Sequence, residues 1–418
     1  MNIDSEQLTL DKKLVISQDQ PLTDKQLQEC LYNALDKSRC KILTVPKRKW
    51  VMEYTSPNGK VHHFLVRTCT YLGNPHPIFK KRVQLPLWFN EYANAIHHGN
   101  PDVDVRYLGV YHYGDTAHGD NIIFIDFKKE TYLNKRGHNS SAHVYTNDLY
   151  QAMDYGIFTK EDYFGNTITT IRKDKFKEYL SQETTCSNSL FDLFQKFNCC
   201  FTFGQWLKAL DVIKEMHRNG WSQWRQTEWA GWFLEYKFNK FSTENNISSQ
   251  MRYVGNSLKK DGNLDFDIRF DKENFFGDLK ASDITKKETP GNDQANLVKC
   301  IYQFGRFWYV IYEHETIKDH DSRYEATIGR NRYIKSIDPS YDKGEMSYHR
   351  RMKNAVKFVR MSIVELNRIN FRKALTNFAQ GHQPNGSARK AKFNIDKKIL
   401  ENDNFVVFRY TYKQNASI

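Results

Sequence analysis

Apolar and polar positions alternate with period two on both sides of a short polar loop between Gly262 and Ala281, and this alternation predicts a β-hairpin. Leu264, Phe266, Ile268 and Phe270 on the first arm, with Phe275, Leu279 and Ala281 on the second, fall on an apolar face. Asp265, Asp267, Asp278 and Lys280 fall on the other. With residues 271–274 as the loop, Phe270 sits opposite Phe275, which sets Asp267 against Asp278 and Asp265 against Lys280. Directly opposed Cβ atoms lie roughly 4.5–5.5 Å apart, and like charges there are destabilising. A positive charge is therefore expected between the two aspartates. A hard divalent cation completed by substrate phosphate is the leading candidate.

Up to about residue 180 the chain carries short apolar runs such as Ile122-Ile123-Phe124-Ile125, separated by turn-rich pieces such as Ser56-Pro57-Asn58-Gly59. This half reads as a strand-rich α+β module. The polar run from Ser181 to Ser189 has no apolar periodicity and marks a boundary, giving an N-terminal recognition or regulatory module over 1–185 and a second domain over 186–418. Helical spacing follows from Leu190 to Phe197, from Gly204 to His217, from Gln223 to Phe241 and near Asp293 to Cys300. An apolar strand is expected from Phe307 to Tyr312. The pattern from Met346 to about Ala379 is again helical, and a last strand is expected from Phe405 to Phe408. The fold class is α/β, with a mixed-sheet catalytic domain after the strand-rich module.

Charge adds a partner to this picture. Lys and Arg outnumber Asp and Glu by 62 to 49, and 14% of residues are aromatic, a balance suited to phosphate backbones and bases. Between Met346 and Lys398 thirteen basic residues stand against two acidic ones. Arg350, Arg351, Gln383, Asn385, Arg389, Lys390 and Lys392 in that segment are the candidate DNA contacts. Seven cysteines, an odd number without a Cys-x-x-Cys pair, point to a reduced, intracellular protein. With no run of roughly 18 apolar residues and no signal-like N-terminus, a cytoplasmic protein without membrane contact is expected. Nine of the fourteen histidines lie between His62 and His143, but their spacings match no compact zinc pattern and they read as structural or surface residues.

The predicted helix from Gln223 to Phe241 carries Glu228 and Glu235 seven residues apart, on one face. A helix with an acidic residue, then an acidic strand, then a strand bearing Asp-x-Lys resembles the PD-(D/E)xK nuclease superfamily, and within it most resembles a type II restriction endonuclease. Gly231-x-x-x-Glu235, Gly262-Asn263-Leu264-Asp265 and Asp278-Leu279-Lys280 carry the likeness. No proline precedes Asp265 or Asp267. The hairpin register favours Asp267 as the family aspartate, and the glycine spacing favours Asp265.

The resemblance implies that Asp278 and one of Asp265 or Asp267 hold Mg²⁺ against the scissile phosphate, with Glu235 or Glu228 adding a further contact. It implies that Lys280 orients or helps deprotonate the attacking water, and that the products are a 5′-phosphate and a 3′-hydroxyl. The expected function is Mg²⁺-dependent, sequence-specific cleavage of double-stranded DNA by a homodimer. A structure-specific repair or recombination nuclease, or a DNA-binding regulator without catalysis, is the alternative. Asp126-Phe127-Lys128, after an apolar strand, is a competing Asp-x-Lys triplet.

Overall fold

The computed structural model describes residues 4–46, 49–114, 121–133, 139–181, 189–255, 266–342, 352–378 and 390–412. The chain divides into two compact units, Met1–Asn188 and Ser189–Ile418, at the end of the polar run noted above. No helix among the described residues is long and apolar enough to cross a membrane.

In the N-terminal unit, β1 (Asp4–Leu8) and β2 (Leu14–Gln18) form a separate ribbon. The main sheet takes β3 (Cys40–Val45), β4 (Lys49–Thr55), β5 (Val61–Tyr71), β6 (Lys80–Leu85), β7 (Asp104–His112), β8 (Ile122–Phe127), β9 (Ser140–Tyr145), β10 (Ile157–Glu161) and β11 (Thr167–Arg172). Its order is β10-β11-β8-β7-β5-β4-β3, and β6 and β9 extend it from the C-terminal end of β5. β5 and β7 run parallel, with the helix Leu87–Gly99 in the connection between them. All six residues of β8 are buried, as a strand covered on both faces requires. The helix Asp24–Ala34 opens with a capping box between Thr23 and Gln26 and packs Leu27 and Leu31 in one cluster with Phe64, Leu108, Phe124 and Phe176. His62 and His63 are buried against Asp104 and Glu53, each at 3.1 Å, in keeping with a structural role.

The C-terminal unit is built on β12 (Leu207–Lys208), β13 (Met251–Tyr253), β14 (Ile268–Phe270), β15 (Phe275–Asp283), β16 (Glu288–Asp293), β17 (Arg306–Lys318), β18 (Lys353–Asn367), β19 (Leu375–Phe378), β20 (Lys392–Asp396) and β21 (Val406–Thr411). The main sheet runs β12-β18-β17-β15-β14-β13 with β21 beside β18, and β16-β20-β19 form a small second sheet. β15 and β17 are parallel and are joined through the helix Gln294–Phe304, while their other neighbours are antiparallel. Asp293 caps that helix by accepting the N–H of Asn296 at 2.9 Å, and Gly305 ends it at φ +84°. The architecture is α/β with a mixed sheet.

Side-chain alternation gives the main sheet two different faces. On one, Phe270 and Phe275 stack at 4.4 Å, and each meets Trp308 at 5.0 Å. The helices Ser189–Cys200 and Trp229–Glu244 add Phe191, Phe194 and Phe238 to that wall. On the other face, Phe276, Phe307, Tyr309 and Ile311 pack with Leu297, Cys300 and Ile301 of the crossover helix.

Three sequence expectations are corrected here. The segment from Met346 to Ala379 contains the long strand Lys353–Asn367 where helical spacing was read. Its apolar positions recur every three to four residues, but it is rich in Val and Ile, and between β17 and β21 it is buried on both faces, so it needs no clean alternation. The helix expected from Gln223 begins only at Trp229, because Glu228 has non-helical φ −83° and ψ 47°. Within the segment from Gly204 to His217 only Ala209–Arg218 is helical, after the short strand β12.

Removing the ring of Phe270 opens a cavity against Phe275 and Trp308, so Phe270→Ala is expected to destabilise the C-terminal unit by about 3–5 kcal/mol. The midpoint and slope of chemical denaturation check this, and a loss under about 1 kcal/mol contradicts the packing account.

Candidate active site

The hairpin pairs Phe270 with Phe275, Arg269 with Phe276 and Ile268 with Gly277, the register counted from the loop. One residue beyond β14, the N–H of Asp267 still donates to the Gly277 carbonyl at 3.2 Å. There the alternation breaks. Phe266 turns to the opposite face from Ile268 and packs on Phe276 and Phe307, so the expected single apolar stripe through Phe266 and Phe270 does not form. With the ladder ending, the Asp267 carboxylate itself takes the N–H of Leu279, at 3.0 Å on Oδ2. This substitution brings the Asp267 side chain in beside Asp278.

Asp278 is 2% exposed. Its Oδ1 accepts from Asn292 Nδ2 at 3.1 Å, and its Oδ2 is ion-paired with Lys280. Asn292, at the end of β16, also donates its N–H to the Tyr309 hydroxyl on β17 at 3.0 Å. Glu235, in the helix Trp229–Glu244, accepts the Tyr253 hydroxyl at 2.6 Å. Tyr253 belongs to β13, which pairs with β14, so a helix and four strands converge on one cluster.

Burial is the largest influence on Asp267, and the Asp278 and Glu235 carboxylates add to it. Together they push its carboxyl well above the ordinary aspartate range, against the opposing pull of Lys280 and the Leu279 N–H. For Lys280, burial works against the charge, but Asp278 and Asp267 outweigh it and hold the ammonium above its usual range. The Tyr253 phenol is also pushed up, by burial first and then by Glu235.

Of the residues singled out by sequence, Asp267, Asp278, Lys280 and Glu235 are thus brought together. Glu228 stands at the N-cap position of the helix without a side-chain cap hydrogen bond, and its charge acts on the half-buried Lys353. Asp265, and with it the Asp265–Lys280 pairing, lies outside the described residues, as do Arg350, Arg351, Gln383, Asn385 and Arg389. Lys390 is exposed, and Lys392 begins β20, where its carbonyl accepts from Gln294. Other members of the basic segment are used internally: Lys357 pairs with Glu315 at 2.7 Å, Lys397 with Glu313 at 2.6 Å, and Arg360 also with Glu313. Tyr253, Asn292 and Tyr309 escaped the sequence reading. The short strand carrying Tyr253 and the isolated Asn292 leave no local signal.

Among the described residues no three His, Cys, Asp or Glu side chains form a metal-binding group. The Asp267–Asp278 pair nevertheless suits Mg²⁺, which is commonly held by one or two carboxylates together with waters and substrate phosphate. Two buried carboxylates, with no described donor on Asp267 Oδ1, form a hard-oxygen donor set of the kind that ion takes.

The competing triplet is arranged differently. Asp126 is bound by Arg106 at 2.5 Å and by the Tyr179 hydroxyl at 2.8 Å, Arg106 also binds Asp104 at 2.7 Å, and Lys128 is exposed. These acids already have their countercharge.

Residues 61–180 match the family model described as methylase-associated X1, a domain found in restriction-modification systems. The match associates the chain with such a system and stays within the N-terminal unit. No curated protein and no solved structure matches the chain.

The raised Asp267 has a consequence for stability. Without divalent cation, the folded state keeps a proton that the unfolded state releases above about pH 3.9, so stability is complete below that value and declines as pH rises through the folded value. Asp267→Asn is expected to flatten the decline and to be the more stable protein at neutral pH. Chemical denaturation across a pH series in chelator measures this, and a wild type whose stability rises over the same window contradicts it.

Proposed function

We infer that the C-terminal unit hydrolyses phosphodiester bonds of double-stranded DNA, and that the chain is a Mg²⁺-dependent type II restriction endonuclease. The observation that carries this reading is the placing of the buried Asp267 within electrostatic reach of Asp278, with Lys280 ion-paired to Asp278 on the same strand face. The methylase-associated match over residues 61–180 supports a restriction-modification setting. The excess of basic residues supports a nucleic-acid substrate.

Asp267 and Asp278 would hold Mg²⁺, with Asp265 and Glu235 as further oxygen donors. Bound there, the ion supplies a Lewis acid at the scissile phosphate. Asn292 and the Leu279 N–H fix the two carboxylates, each through one oxygen. Lys280 stays an ammonium between carboxylates, so its part is to orient the attacking water and offset charge developing on the phosphate, not to accept a proton. Tyr253 restrains Glu235 at the rim of the cluster. A chain with one such site cuts one strand, and two chains related by a two-fold axis cut both, which is the basis for a homodimer on DNA.

Plasmid digestion tests the assignment. With Mg²⁺ the wild type is expected to give discrete fragments, Lys280→Ala and Asp278→Ala to lose at least about a hundredfold in rate, and Lys128→Ala to cut normally. Loss of cutting only in Lys128→Ala would move the site to the N-terminal unit. Action confined to branched or damaged DNA would make the enzyme a structure-reading nuclease. No dependence on Mg²⁺ or on Asp278 would leave a DNA-binding regulator.

A further inference from the structure

We propose that the outer face of β5, β6 and β9 in the N-terminal unit docks the phosphodiester backbone of duplex DNA, with Arg67 and Arg82 as its anchoring cations. The proposal rests on the DNA reading of the C-terminal unit and extends it to a second surface.

Several cations of the N-terminal unit are already neutralised. Lys81 is buried against Asp19 at 2.7 Å, Lys160 against Asp148 at 2.5 Å, Arg106 binds Asp104 and Asp126, and Arg172 binds Asp174 at 2.6 Å. On β5 and β6 themselves Arg67, Lys80 and Arg82 differ: all three are half-buried, and among the described residues none has a carboxylate partner. A half-buried guanidinium without a countercharge keeps its planar set of donors available to an anion.

The two arginines line the same cavity, of about 420 Å³, with Thr68, Thr70, Gln84 and Pro86. No acid contributes to its wall. Strand alternation explains how the chain builds it: Lys81, Val83 and Leu85 of β6 point into the core, so Arg82 and Gln84 point out. The register then lays Thr70, Arg82 and His143 in one row across β5, β6 and β9, and sets Gln84 beside Ser141 in the next. The buried Ala142 and Val144 hold β9 against the core from behind. Arg67 falls on the other alternation of β5 from Thr68 and Thr70, lies over the Phe89 ring at 5.9 Å, and joins them in the cavity wall.

The row spans two inter-strand spacings, roughly 9.5 Å, and continues past the cavity, wider than one phosphate needs. Arginine, hydroxyl and amide groups spread over that width are the set that contacts successive backbone phosphates. An extended polyanion therefore fits better than a small anion, and duplex DNA is the polyanion that the C-terminal acidic cluster calls for.

The test is binding of a fluorescently labelled DNA duplex to the full chain in chelator, where cutting is absent, read by anisotropy over a salt series. R67Q/R82Q is expected to weaken binding at least about tenfold and to flatten the slope of log K against log salt by about two, one counterion for each lost phosphate contact. Gln84→Glu, at an exposed position, is expected to weaken binding by charge alone without disturbing packing. Lys41→Gln, exposed elsewhere on the sheet, is expected to have the smallest effect. If the wild type binds duplex and the Arg67/Arg82 and Gln84 variants bind equally well, this docking face is wrong while the DNA reading survives. A wild type with no affinity for duplex DNA overturns both, and equal weakening in all three variants reduces the face to general electrostatics and overturns the proposal.

Discussion

Two carboxylates share a buried corner of the C-terminal unit, and much of the surrounding structure is arranged around their repulsion. Asp267 and Asp278 meet because the β14–β15 hairpin ends where it does: the ladder stops at Asp267, and its carboxylate replaces the missing strand as partner for Leu279. Lys280 and Asn292 then take up the oxygens of Asp278. A buried like-charge pair persists only where surroundings over-determine it. Here the determinant is the aromatic wall behind the sheet, in which Phe270, Phe275 and Trp308 lock the hairpin against two helices. The position of Asp267 beside Asp278 is thus held by packing on the other face of the same strands.

The register of this hairpin was legible in the chain because a four-residue loop joins two alternating arms, and a one-residue slip would turn every side chain over. Phe266 was not, since a side chain just beyond the end of a ladder is no longer bound by strand alternation. Glu235 and Glu228 share a face only if both are helical, and the helix starts after Glu228. The long strand β18 was misread because its apolar residues keep helical spacing while tertiary burial on both faces overrides it. Tyr253 and Asn292 come from segments whose place is set by long-range pairing, which no local pattern carries.

Charge was legible as a total and not as a distribution. The basic segment after Met346 reads as a surface for DNA, yet Lys357, Arg360 and Lys397 are held by Glu313 and Glu315 within the unit. In the N-terminal unit the acidic triplet around Asp126 reads as a rival active site, and the structure shows it closed by Arg106 and Tyr179. Cations paired with acids inside a unit hold the fold, and only the unpaired ones are left for a partner. Asp126 is held by both Arg106 and the Tyr179 hydroxyl, whereas Asp267 and Asp278 share the cation Lys280.

That pair is the centre of the account, and calorimetric titration of Mg²⁺ into the metal-free protein, repeated in buffers of different ionisation enthalpy, tests it most directly. If Asp267 keeps a proton because it is buried beside Asp278 and Glu235, Mg²⁺ binds the wild type with release of protons, and Asp267→Asn binds more weakly and releases none. Absence of binding, or binding with the same proton count in both proteins, would contradict the assignment of these two aspartates as a metal site.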